Sequence, residues 1–188
     1  MMKSCFLVTV VTILLSALGT AHAASQSFSG TLAVTEYDGK LNTQPAELGL
    51  NSYTIVGNAT INSNRRFLIS GDIEFSPLLE TAVHCPPERP FEYPILPGGM
   101  FTFTDANTQD VVFLTTDAGG YECDPADVTP PNFATSHESG TTTGGLGIYE
   151  HATGTFSVDT KDYYLRLDPE GHLFAADKGT ITGTVDLH

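Results

Sequence analysis

Tryptophan is absent, and positive charge is scarce: the 188 residues carry eight Lys and Arg against 22 Asp and Glu, for a formal net charge of −14. A field of that sign repels phosphate backbones and anionic surfaces, which argues against nucleic acid and against stable membrane association as partners. Long apolar runs are also missing, with one exception. Cys5 to Leu18 is apolar, follows Lys3 and leads to Ala21-His22-Ala23, a small-x-small cleavage signal. Residues 1–23 therefore read as a secretory signal peptide, cut after Ala23. The run falls short of the about 20 apolar residues that a spanning helix needs. No cysteine stands at the cleavage point, so a lipoprotein is not indicated. The expected location is secreted or periplasmic, with residues 24–188 as a single domain.

Cysteine is the next scarcity. There are three, and Cys5 leaves with the leader. The remaining pair, Cys85 and Cys123, suggests a disulfide in an oxidising compartment. It would close a loop of roughly 38 residues, worth about 3–4 kcal/mol in the chain-entropy model.

Amphipathic helices are lacking throughout. Period-two patterns take their place. Phe28, Gly30, Leu32 and Val34 alternate with Ser29, Thr31, Ala33 and Thr35. Tyr53, Ile55, Ala59 and Ile61 share a face, and so do Phe67, Ile69, Ile73 and Phe75. Asn62-Ser63-Asn64 between these runs reads as a hairpin turn. Short strands follow over 100–104 and 111–116. Tyr163, Leu165 and Leu167 alternate with Tyr164 and Arg166, and Asp168 to Gly171 reads as a turn. In the last strand Ile181, Val185 and Leu187 face one way. About eight strands and no helices predict an all-β fold, a single antiparallel barrel or a related sandwich. Two stretches are expected as long loops: 76–98, which holds six prolines, and 117–143. Each carries one of the paired cysteines.

Chemistry-bearing patterns are thin. No Gly-x-Ser-x-Gly elbow occurs. His84 beside Cys85 is a poor catalytic pair, since neighbours on an extended chain point apart and a disulfide would consume the sulfur. The histidines lack the short spacing of a zinc site. Asp117, Glu122, Asp124 and Asp127 offer hard oxygen ligands beside Gly119 and Gly120, so calcium is the one cofactor to consider, although the spacing is not that of an EF-hand. Glu36, Asp72, Glu74, Tyr149, Glu150 and Tyr164 lie in or near strands, and a carboxyl group held in an apolar cavity would have a raised pKa and could act as an acid. Parity alone does not say which of them point inward.

The stretch Gly144 to Asp159 packs Gly144, Gly145, Gly147 and Gly154 around Tyr149. Glycines inside a strand pattern mark a bulge or a close backbone approach, with Tyr149 filling the space above. Gly144, Gly145, Gly147, Tyr149, Ala152 and Gly154 also resemble the glycine-rich segment of the allene oxide cyclase and dirigent barrel superfamily. That resemblance implies an eight-stranded barrel. The expected role is an exported barrel that binds or stabilises, holding a small apolar molecule near Tyr149, Glu150 and Tyr164. The alternatives are a cyclase, isomerase or dirigent-like protein that steers a reaction, and a small outer-membrane barrel. Any pocket mouth is expected among the loops joined by Cys85 and Cys123, with Tyr149 near one end.

Overall fold

The computed structural model describes residues 25–38, 51–76, 83–127, 129–167 and 173–188. The leader, the loop over 40–50 and the turn over 168–171 lie outside these residues. Ten strands are described: β1 (Gln26–Asp38), β2 (Asn51–Ile61), β3 (Arg65–Phe75), β4 (Phe91–Pro94), β5 (Met100–Asp105), β6 (Val111–Thr116), β7 (Tyr121–Asp124), β8 (Phe133–Leu146), β9 (Thr153–Leu167) and β10 (Leu173–Asp186). A 3₁₀ turn, Gly147–Tyr149, links β8 to β9.

Eight strands close on themselves in the order β8-β6-β5-β3-β2-β1-β10-β9, and the β8–β9 pairing completes the circle. Every pairing is antiparallel. The expected barrel is therefore what the chain forms. β4 and β7 are additions at one end. β7 pairs with the first part of β8 (Glu122 opposite Ser136), while β6 pairs with its second part. β6 and β7 thus form one interrupted line along β8. β4, paired with β7, stands to β5 in the same way.

This geometry corrects the two long loops. Much of 117–143 is strand, and 91–94 within the proline-rich stretch is strand as well. Proline does not forbid β4, because Pro94 sits at its last position. The inner face of β8 also has no hydrophobic alternation to betray a strand. It reads Ala134, Ser136, Glu138, Gly140 and Thr142, all buried. A Cβ at Gly140 would overlap the Phe156 ring of β9, so the neighbouring strand supplies the bulk that β8 lacks.

Inside the barrel, Leu32, Ile55, Phe67, Ile73, Phe101 and Ile181 belong to one apolar core. Each side chain of this size contributes about 1.5–3 kcal/mol on full burial. The faces expected for β1, β2 and β3 are the ones observed. On β9, alternation alone leaves the inward face open. Tyr164 is buried, whereas Leu165 on the opposite face is 57% exposed. Closure decides this: Phe156 and Val158 are buried on β9, and the same parity turns Tyr164 inward. The exterior is rich in hydroxyls, with Ser29, Thr31, Thr35, Ser70, Thr180 and Thr182 exposed. A membrane-spanning barrel carries the inverse pattern, apolar outside and polar within.

The β2–β3 hairpin turns through Asn62 and Ser63 at φ 49° and 67°, closed by Asn64 N–H donating to the Ile61 carbonyl at 3.2 Å. Two positive φ values at the centre of this turn, in a loop of three residues (Asn62 to Asn64), match the right-handed twist of the flanking strands.

Candidate functional site

Two cavities lie along the barrel axis, and Phe103 and Leu114 line both. One end is apolar with a basic and phenolic rim. The other is acidic.

The first end is built by the glycine stretch. The register slips between Val112 and Leu114 of β6, where Thr143 and Gly144 of β8 oppose the single residue Phe113. This is a bulge, and Gly144 sits in it at φ 112°. Gly147 then takes φ 67° and starts the turn, whose Ile148 N–H donates to Asp110 at 3.4 Å. A side chain at Gly147 would meet Asp110, so bulge and turn together fold Tyr149 back over the end of the barrel, where it is 5% exposed. Arg65 lies beside it, with Cζ 6.0 Å from the Tyr149 ring and 5.4 Å from the Phe67 ring. Asp105 fixes that guanidinium, accepting from Nη2 at 2.6 Å and from Nε at 3.1 Å. The Asn107 and Thr108 backbone N–H groups donate to its other oxygen at 2.8 and 3.2 Å. Burial alone would raise the Asp105 pKa, but these hydrogen bonds hold it below the usual range. Behind this rim lies a cavity of about 90 Å³, whose apolar wall includes Phe28, Ile61, Phe67, Val112, Ile181 and Val185.

At the far end the inner wall carries acids. Asp162 of β9 and Asp177 of β10 stand directly opposite each other. Glu36 of β1 and Glu138 of β8 flank them on the adjoining strands, and Glu122 of β7 is buried beyond. All five are at most 8% exposed. None of the ion pairs among the described residues reaches any of them. No hydrogen bond of normal geometry reaches a carboxylate oxygen of Asp162 or Asp177 among the described residues, although Ser136 and Thr160 lie near Asp162 and Glu36 near Asp177. Burial, reinforced by neighbouring carboxylates, pushes Glu138 up to about 8 and Asp177 up to about 9. Burial raises Asp162 to about 7, and raises Glu36 and Glu122 well above the carboxylate range. Tyr164 donates to Asp124 at 2.5 Å, and burial raises its own pKa. A cavity of about 30 Å³ meets this cluster, lined by Glu36, Glu138, Thr160 and Asp177 together with hydrocarbon such as Val34 and Phe101.

Cys85 and Cys123 form a disulfide, with Cα atoms 5.4 Å apart. Its neighbourhood is tied down by Glu92, which accepts from the Val83 and His84 backbone N–H groups at 2.7 and 2.9 Å and bonds the His84 ring. A disulfide of this kind is compatible with an extracytoplasmic protein.

The sequence-derived candidates separate in space. Tyr149 and Tyr164 are both buried, but at opposite ends of the barrel, and Glu150 is exposed on the outside of the turn. Cys123 lies opposite Thr135, near the start of β8, while Tyr149 follows the end of that strand. The mouth beside Tyr149 is therefore not the end that the disulfide ties. Of the calcium candidates, Glu122 is buried, and Asp124 holds Tyr164. Asp117 is exposed, and Asp127 is exposed and caps Thr129, accepting from its N–H at 2.9 Å. No three His, Cys, Asp or Glu side chains among the described residues are grouped to hold a metal ion. Asp72 points outward and accepts from Thr54 at 2.7 Å, whereas Glu36 points inward.

Glu138, Asp162 and Asp177 were not among the sequence candidates. Two were within reach: Asp177 shares the parity of Ile181 and Val185, and Asp162 that of Phe156 and Val158. Glu138 had no such signal. Comparison with protein-family models gives no match, nor does comparison with curated protein sequences.

Proposed function

We propose that the protein is an exported carrier or sensor barrel that takes a small, mainly apolar molecule through the end beside Tyr149. The observation that carries this reading is the cavity of about 90 Å³, walled by hydrocarbon, with Arg65 and Tyr149 on its lining. A concave apolar site with a few convergent polar groups is the usual form of a small-molecule site. Its size suits an aliphatic group of a few carbons, since a cavity of about 150 Å³ accommodates benzene. The hydroxyl-rich exterior, the disulfide and the leader-like residues 1–23 support a role outside the cytoplasm. The glycine segment's likeness to the allene oxide cyclase and dirigent barrels supports a cavity-bearing barrel, and lends no particular reaction.

Thermal unfolding with and without hexan-1-ol tests this function. A ligand that binds only the folded state raises Tm with concentration. The Gln26→Trp variant places a large ring at the exposed rim of this cavity and is expected to abolish the shift while folding normally. No shift in the parent protein, or an equal shift in both, refutes the proposed entry.

A further inference from the structure

The acids at the far end remain unexplained by an apolar ligand. Like charges directly opposite across a sheet are unfavourable, and a buried unpaired carboxylate is more so. Yet Asp162 and Asp177 face each other inside the barrel at 2% and 1% exposure, with no hydrogen bond of normal geometry to any of the four oxygens among the described residues. Glu36, Asp177, Asp162 and Glu138 occupy four consecutive strands, β1, β10, β9 and β8, on the inner face. The cavity they meet is hydrocarbon on its remaining sides and continues, past Phe103 and Leu114, towards the larger cavity.

We propose that this end receives the ammonium group of a primary alkylamine, with Glu36, Glu138 and Asp177 around the nitrogen and the alkyl chain lying along the apolar interior. The inference rests on the carrier reading above and specifies its ligand. Three features select an ammonium over other cations. It has three N–H donors, and three carboxyl groups line the inner cavity. Its attached carbon suits walls of Val34, Phe101 and Phe156, which would give nothing to a hydrated ion. A hard divalent ion needs six or more oxygens at close range, and the hydrocarbon that makes up most of this lining offers none. Size agrees as well. On the scale of about 150 Å³ for the six carbons of benzene, the inner cavity of about 30 Å³ has room for the ammonium group and the outer one of about 90 Å³ for three or four carbons of the chain, the rest bridging the two. Phe103 and Leu114 must turn aside to let the chain pass. Raised carboxyl pKa values in the empty barrel mean that the amine enters with loss of protons from the acids it joins.

Isothermal titration of the purified, disulfide-intact protein at pH 7.5 with hexylammonium, methylammonium and hexan-1-ol tests the inference. Hexylammonium is expected to bind at least tenfold tighter than hexan-1-ol, and methylammonium weakly. The heat of hexylammonium binding is expected to change between buffers of different ionisation enthalpy, as released protons are taken up. Asp177→Asn and, independently, Glu138→Gln are expected to weaken hexylammonium at least tenfold and to leave hexan-1-ol unchanged. If the amine and the alcohol bind equally, or if both variants keep full amine affinity, the ammonium site is refuted and the carrier reading stands. If neither the amine nor the alcohol binds, both fall.

Discussion

Arg65 and Asp105 pin the apolar end of the barrel through a pair in which only one partner is buried: Arg65 is 40% exposed and Asp105 2%. Removing the carboxylate leaves the Asn107 and Thr108 N–H groups without their acceptor as well as freeing the guanidinium. Asp105→Ala is therefore expected to lower stability by about 1.5–3 kcal/mol, the range for hydrogen bonds to a charged group. Urea unfolding should show a lower midpoint with an unchanged slope. Glu138 is the opposite case. Its carboxyl is held at about 8 by burial, so the folded protein keeps a proton that the unfolded chain gives up near pH 4. Between those values the unfolded state gains on ionisation and the folded state does not. Glu138→Gln is thus expected to match the parent at pH 4 and to exceed it at pH 8.5 by at least about 3 °C in Tm. An equal Tm at both pH values would show that Glu138 is not the buried acid described. At this scale the sequence was legible by parity wherever a strand had apolar residues to set it. Asp177 and Asp162 follow from Ile181 and Phe156. Glu138 does not, because Ser136, Gly140 and Thr142 mark no face.

Among the elements, the β2–β3 hairpin and the β8–β9 connection show two ways of using positive φ. Asn62 justifies its place, since its side-chain oxygen accepts from the Ser29 N–H at 3.1 Å. Ser63, at φ 67° and exposed, carries a steric cost. Ser63→Gly is expected to stabilise by about 0.5–1 kcal/mol, measured by chemical denaturation. At Gly147 the demand is stronger, because Asp110 fills the space a side chain would need. Gly147→Ala is expected to destabilise and to loosen Tyr149, visible as increased exposure of its ring in the ultraviolet spectrum. The hairpin and the glycine bend were both readable from turn chemistry. β4 and β7 were not. They are four residues each, and their partners are strands from elsewhere in the chain.

For the whole molecule, two sets of buried acids give opposite pH dependences. Asp105 and Glu92 have pKa values below the ordinary range despite their burial, because hydrogen bonds hold the charged form. Their contribution is present above the unfolded pKa and is lost as pH falls through the folded one. Asp162, Glu138 and Asp177, at about 7, 8 and 9, contribute stability that is present below pH 4 and is lost as pH rises through those values. Stability is expected to peak in mildly acidic solution and to decline steadily towards pH 9. A flat profile over that span, measured by denaturant titration, would count against the buried acid cluster. The charge balance and the period-two patterns of the chain were enough to determine an acidic all-β domain, barrel or sandwich, and the two cysteines its staple, because composition and alternation are local properties. Which acids face one another, and that Tyr149 and the disulfide lie at opposite ends, only the closed sheet decided. Closure brings β8 beside β9 and β10 beside β1, and a residue's neighbours across those seams are set by register between distant strands rather than by its own sequence.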